Sequence, residues 1–178
     1  MPTTTTTKSE FRDAMARLGA AVNIVTTDGP AGRCGFTASA VCAITDEPPT
    51  VLVCMNRSSA QNSVFKANGV LCVNVLAPRH QALSSVFAGQ GGAAMPDRFA
   101  MARWSSLTTA APALEDAAVS LDGVIAEVLE RGTHTMLFVE IRAVRLGTTQ
   151  EGLVWFGRRY HGLTLPADAP VPLSGRAA

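Results

Sequence analysis

Two long runs rich in β-branched residues, Ala117 to Leu129 and Thr133 to Leu146, stand back to back with only Glu130-Arg131-Gly132 between them. Runs of that makeup, joined through a glycine, predict a long antiparallel hairpin. Such a hairpin constrains the rest of the chain. Antiparallel neighbours need only short joins, whereas parallel strands need crossovers of a dozen residues or more. The upstream runs obey the same rule. Ala21 to Thr27 is strand-like and ends in the turn Asp28-Gly29-Pro30-Ala31-Gly32. A second strand is expected from about Cys34 to Ile44, broken by Asp46-Glu47-Pro48-Pro49 ahead of a short buried strand, Thr50 to Met55. Asn68-Gly69 turns the chain into Val70 to Leu76, and Gly152 to Phe156 reads as the last strand. Strands outnumber helices and tight turns join several of them. The expected fold is mainly β: an antiparallel barrel with short helices packed outside, not a doubly wound parallel sheet.

The helices are short. Phe11, Met15 and Leu18 recur at helical spacing over Glu10 to Gly19, with the glycine as a stop. Ser58-Ser59-Ala60-Gln61 has the spacing of a capping box for a helix to about Ala67. Further helices are expected from Gln81 to Ala88, after Pro78, and from Asp97 to Arg103. Residues 1–8, with their threonine run, read as a disordered tail. Residues 9–165 form one domain, and the Pro/Ala-rich residues 166–178 form a flexible tail.

Composition narrows the class. Hydrophobic residues make up 47% of the 178 and charged residues only 16%, an apolar balance for a lone domain. Burial of apolar surface in a two-fold dimer is the simplest expectation. A net charge of +1 gives no nucleic-acid footprint and no polybasic membrane patch. No apolar run reaches the roughly 18 residues of a membrane span, and Met1 to Lys8 lacks the apolar core of a signal peptide. The expected compartment is the cytoplasm. Cys34, Cys42, Cys54 and Cys72 form no CxxC and lie at no ligand-like spacing from His80, His134 or His161, so they read as reduced, packed thiols.

The chemistry is expected where small residues and hydroxyls collect at strand ends. Gly35-Phe36-Thr37-Ala38-Ser39-Ala40, Asn56-Arg57-Ser58-Ser59 and Asn74-Val75 hold no acid. Such a site suits a flat, neutral ring carrying a phosphate, because small side chains allow close approach and hydroxyls can meet phosphate oxygens. Thr37 and Ser39 share strand parity and so one face; two half-buried structural hydroxyls are the other reading. Arg57 adds a charge beside a capped helix start, which could equally be an ordinary N-cap. Asn74 interrupts an apolar run, and a buried amide needs partners, from a ligand or from neighbouring backbone. His134 opens a strand with the parity of Met136 and Phe138, placing its imidazole at the rim of an apolar face; a structural histidine is the alternative. Trp155-Phe156-Gly157-Arg158-Arg159-Tyr160-His161 can stack on a ring and grip a phosphate, or form an oligomer contact. Gly89-Gln90-Gly91-Gly92-Ala93-Ala94 matches GxGxxA, but it follows an expected helix and precedes Met95-Pro96, so it reads as a loop over the site and not as a dinucleotide turn.

From about Phe11 to Leu163 the chain resembles the short flavin reductases, the reductase components of two-component flavin monooxygenases, and within them the branch associated with pyrimidine utilisation. The likeness rests on Phe11 to Met15, Ala20 to Gly29, Gly35 to Ala40, Asp46 to Thr50, Leu71 to Leu76, Arg98-Phe99 with Trp104, Gly132-Thr133-His134 and Gly152 to Phe156. It implies a split antiparallel β-barrel of the Greek-key, FMN-binding type, and a homodimer with flavin near the subunit interface. Thr37, Ala38, Ser39 and Ala40 would line the isoalloxazine, approached by Met55 and Asn56. Ser58, Ser59 and Ser63 would serve the ribityl-phosphate end, next to the Arg57 charge, itself a candidate flavin contact, and Asn74, Val75 and Leu76 would lie beside the ring. His134, with Phe156, Arg158 and Tyr160, would contact NADH. The implied cofactors are FMN or FAD, with NADH as hydride donor. The implied partner is a flavin-dependent monooxygenase that receives reduced flavin by diffusion. A non-catalytic flavin- or haem-binding module on the same barrel is the rival reading.

Overall fold

The computed structural model describes residues 5–166. Residues 1–4 and 167–178, most of the two expected tails, lie outside the described residues. The first helix, α1 (Lys8–Met15), starts inside the expected N-terminal tail. Thr7 caps it: its hydroxyl accepts from Glu10 N at 3.2 Å, while the Glu10 carboxylate accepts from Thr7 N at 2.8 Å. This reciprocal pair is a capping box, at a different helix from the one expected at Ser58–Gln61.

Strands β1 (Ala20–Ala21), β2 (Asn23–Thr27), β3 (Cys34–Ala38), β4 (Val41–Asp46) and β5 (Pro49–Asn56) follow, then α2 (Asn62–Asn68) and β6 (Val70–Val75). Next come α3 (Gln81–Phe87), α4 (Met95–Ala100), β7 (Trp104–Ser105) and β8 (Ala113–Leu114). The long hairpin is β9 (Val119–Arg131) and β10 (His134–Leu146), and β11 (Glu151–Phe156) and β12 (Arg159–Thr164) close the described chain.

Seven strands form one antiparallel sheet in the order β3-β2-β6-β9-β10-β5-β4. The expected single strand from Cys34 to Ile44 is therefore two strands, on opposite edges of this sheet. The small pair Ser39-Ala40 carries the chain between them. Both halves are apolar and β-forming, so periodicity cannot see the change of edge. The crossing requires the sheet to curl until its edges approach, and Cys54 N donates to Ala40 O at 2.9 Å across the gap. Inside the curl Cys34 and Ala38 of β3 pack with Val51, Val53 and Met55 of β5 and with Phe65, Leu71, Leu137 and Val139. At the β9–β10 crossing a Cβ on Gly123 would stand 2.3 Å from Glu140 O, so close strand approach requires glycine there.

A second core covers the outer face. Val22, Ile24 and Leu76 pack against Leu83 and Phe87 of α3, Phe99 of α4, and Leu153 of β11. It joins the large sheet to the small sheet β1-β11-β12. β12 is a strand that sequence inspection missed, because a Gly157-Arg158 join replaces the familiar Asn-Gly. Both residues nonetheless take positive φ, 59° and 61°, as a two-residue I′ turn demands. Asp13 of α1 pairs with the Arg158 guanidinium, and Gly157 N donates to Ala16 O at 2.7 Å, so α1 braces this turn.

The expected capping box at Ser58–Gln61 does not form. α2 begins at Asn62, and its cap residue Gln61 makes no side-chain cap bond. Asn56 is the reason: its Oδ1 accepts from both Ser58 N and Ser58 Oγ at 2.9 Å and takes the serine out of capping range. No helix among the described residues is long and apolar enough to cross a membrane.

Candidate functional site

The β3–β4 crossing opens a groove of about 320 Å³. Its walls are Phe36 to Ala40 on one side, and Cys54, Met55, Asn56 and Ser59 on the other, with His134 at the end. Eight residues expected at the site from the sequence thus come together: Thr37, Ala38, Ser39, Ala40, Met55, Asn56, Ser59 and His134. The fold explains why. Ladder pairing sets Asn56 of β5 opposite His134 of β10, and the Ala40–Cys54 bond sets the β3 end beside β5.

A second groove, about 210 Å³, lies against the same segment. It shares Thr37, Ala38 and Ser39 and adds Val22, Ala88, Gln90, Trp155 and Tyr160. The Trp155 and Tyr160 rings meet edge to face with centroids 4.8 Å apart. Buried Ser84 of α3 fixes both sides of this groove. Its carbonyl accepts from Thr37 Oγ1 at 2.6 Å, and its hydroxyl lies 3.0 Å from the Tyr160 hydroxyl. Cys54, Ala88 and Gln90 were not among the expected contacts, whereas Trp155 belongs to the aromatic segment expected to stack on a ring. Gln90 stands in the glycine-rich loop, so that loop does border the site.

Among the described residues no Asp, Glu, Lys or Arg lines either groove. Burial, and then the neighbouring Cys42, raise the Cys54 thiol above its ordinary range, so it stays protonated at neutral pH. The grooves offer hydroxyls, the Asn56 and Gln90 amides, backbone groups and an imidazole around small side chains. This donor set fits a planar, neutral ring with polar edges and supplies no cluster for acid–base hydrolysis.

Other expected residues lie apart from these walls. Asn74 is 0% exposed, and its amide is held by protein groups alone. Its Nδ2 donates to Ile24 O at 3.1 Å and to Pro112 O at 3.3 Å, while its Oδ1 accepts from Leu114 N at 2.8 Å and Ser120 Oγ at 3.1 Å. Backbone groups and the Thr26 and Ser120 hydroxyls are its partners. Leu76 is buried in the outer core and Val75 is half-buried in the ladder. Ser58 and Ser63 are exposed on the α2 side. Arg57 turns its guanidinium to Gly132 O at 3.2 Å and to the Glu130 carboxylate at 2.8 Å. Phe156 is half-exposed beside the turn where Arg158 pairs with Asp13.

A curled β-sheet with a neutral groove at an edge crossing defines a class, and the comparisons identify it. The chain belongs to the flavin reductase like domain family, whose pattern matches residues 15–164. Among its relatives, the FMN reductase (NADH) RutF of Variovorax paradoxus (strain S110) is 57% identical over 159 residues, covering 89% of this chain and 87% of that protein. A solved structure from Haemophilus somnus, assigned to the flavin reductases, is 42% identical with a TM-score of 0.85, covering 89% of this chain and all of that one. The flavin reductase of styrene monooxygenase from Pseudomonas putida S12 shares the fold at 22% identity, with a TM-score of 0.76 over 88% of this chain and 98% of that one.

Proposed function

We propose that this protein is an NADH-dependent flavin reductase that hands reduced flavin to a separate monooxygenase. The observation that carries the reading is the groove at the β3–β4 crossing, where Thr37 to Ala40, Met55, Asn56, Ser59 and His134 form one neutral wall. The family membership and the 57% identical relative, named for FMN and NADH, supply the cofactor and the donor. Flavin held in the groove would supply the two-electron chemistry, with reduced nicotinamide as the hydride source. The chain's own residues bind and orient. Ala38 and Ser39, small side chains, let a ring lie against the backbone. Asn56 and Ser59 offer polar groups to its edge or tail. His134 at the end of the groove donates to the nucleotide, and the Trp155–Tyr160 wall excludes water from the shared segment. Of the residues named by resemblance, Asn74 and Leu76 are not in this proposal, because their interior contacts account for them.

The working form is a cytoplasmic homodimer. Phe11 and Leu18 near α1, Ile44 on the edge strand, and Val144 and Leu146 on the hairpin are exposed apolar side chains, Leu146 at 75%. Together they suit burial against a second copy.

The test is NADH oxidation with FMN, FAD and riboflavin in parallel, and with NADPH in place of NADH. Oxidation should begin only when flavin is added, and NADH should outpace NADPH, with the active protein sedimenting as a dimer. Tight flavin binding without turnover would overturn the enzyme reading in favour of a carrier module.

A further inference from the structure

Three contacts tie residue 57 to the turn that precedes His134. Arg57 N donates to Thr133 O at 2.9 Å, one guanidinium nitrogen donates to Gly132 O at 3.2 Å, and another meets Glu130 at 2.8 Å. Lys66 of α2 reaches the same Glu130 carboxylate at 3.2 Å. The Asn56–His134 ladder pair lies directly beside this clasp. Within the turn, Thr133 Oγ1 lies 2.9 Å from His134 Nδ1. Neither Arg57 nor Thr133 lines the groove, whereas His134 does.

We infer that Arg57 and Thr133 are positioning residues for His134: Arg57 clasps the turn to the flavin-side wall, and Thr133 fixes the imidazole tautomer. The inference rests on the reading that His134 contacts the nicotinamide nucleotide. The chemistry is direct. A guanidinium already matched to a carboxylate and a carbonyl is a brace and no longer a free anion receptor. It joins the segment carrying Asn56 and Ser59, which line the groove, to the turn bearing the donor-side histidine. With the Thr133 hydroxyl as donor to Nδ1, the imidazole proton sits on Nε2. The imidazole then presents a fixed N–H donor into the groove. The hydride-donor side is thereby registered against the flavin side by three side chains, of which only one touches the ligand.

The experiment is a double-mutant cycle on the full chain. Arg57→Ala, Thr133→Val and His134→Ala are made singly, and the first two are also combined with the third. Flavin Kd and the kcat and KM for NADH are measured for each. Loss of a single partly exposed hydrogen bond corresponds to about a 3- to 10-fold fall in kcat/KM. Arg57→Ala and Thr133→Val should each show it, mainly in KM, with flavin Kd unchanged. In the His134→Ala background neither should lower kcat/KM further. Thr133→Ser should restore the parameters, and the imidazole ¹⁵N spectrum should move from the Nε2–H form toward a mixture in Thr133→Val only. Losses that add to that of His134→Ala would overturn the positioning role while leaving the role of His134 intact. A salt-sensitive loss of flavin affinity in Arg57→Ala would make Arg57 a phosphate contact instead. NADH parameters unchanged in His134→Ala itself would remove the underlying reading, and this inference with it.

Discussion

Asn74 and Asn56 are both amides at apolar strand segments, and the molecule uses them in opposite ways. Asn74 sits where β2, β6, β8 and β9 meet, and each of these strands supplies a bond or the side chain itself. Its amide links the sheet to the short β8 segment that would otherwise leave Leu114 N without an acceptor. Asn56 sits at a strand end. Its Oδ1 shapes the turn through Ser58, while the residue itself lines the groove beside Ser59 and His134. The difference is one of supply. Where backbone groups are in reach on every side, a polar side chain is spent on the fold. Where the sheet crosses from edge to edge on small residues, polar groups remain free for a ligand.

The largest expected effect breaks the interior half of this comparison. Asn74→Ala leaves Leu114 N and Ser120 Oγ without their shared acceptor in a fully buried site. The expected cost is about 3–4 kcal/mol, which for a domain of this size lowers the melting temperature by about 10 °C. Flavin affinity of the folded fraction should stay at the wild-type value. Thermal melts and flavin titration on one preparation separate the two. A drop in flavin affinity with the melting temperature retained would put the Asn74 amide at the ring after all.

The groove half is tested by the reverse pattern. Ser39 is exposed and lies on the wall common to both grooves. Ser39→Phe should fill the space a planar ring needs and weaken flavin binding about 10- to 100-fold, the equivalent of overpacking by about 1–3 kcal/mol. The melting temperature should move by no more than about 2 °C, since the new side chain faces solvent and no core contact is lost. Unchanged flavin affinity in Ser39→Phe would show that the ring lies elsewhere.

The same contrast explains what could be read in the sequence. The hairpin of β9 and β10 was legible because β-branched runs and a glycine join are local features. The groove-lining set was legible because small and hydroxylated residues at strand ends are also local. The edge change at Ser39-Ala40 was not, because side-chain alternation continues through it while the pairing partner changes. β12 was hidden by a turn whose second residue is arginine in a left-handed conformation. The Arg158 guanidinium pairs with Asp13 of α1, a contact across most of the chain length. The capping box was misplaced for a similar reason. Ser58 and Gln61 have the right spacing, but Asn56 competes for the serine first. Asn74 was visible as a polar residue needing partners. Which partners it had depended on Leu114 and Ser120, which are 40 and 46 residues away.

Tyr160 falls between the two cases and gives the smallest and most discriminating effect. Its ring stands in the groove against Trp155, while its hydroxyl points inward to Ser84, which is fully buried. Tyr160→Phe keeps the ring and its edge-to-face contact but leaves the Ser84 hydroxyl without that partner. The expected loss is about 1 kcal/mol of stability, close to the value of one buried neutral hydrogen bond. Thr37 should hold its place, because it bonds to the Ser84 carbonyl and not to the hydroxyl. Flavin Kd and the KM for NADH should therefore stay within about twofold of wild type, since the groove surface is unchanged. If the kinetics fall and the melting temperature does not, the hydroxyl serves the ligand, and Tyr160 joins Asn56 on the groove side. If stability falls alone, the hydroxyl belongs with Asn74, and one side chain divides its two ends between fold and site.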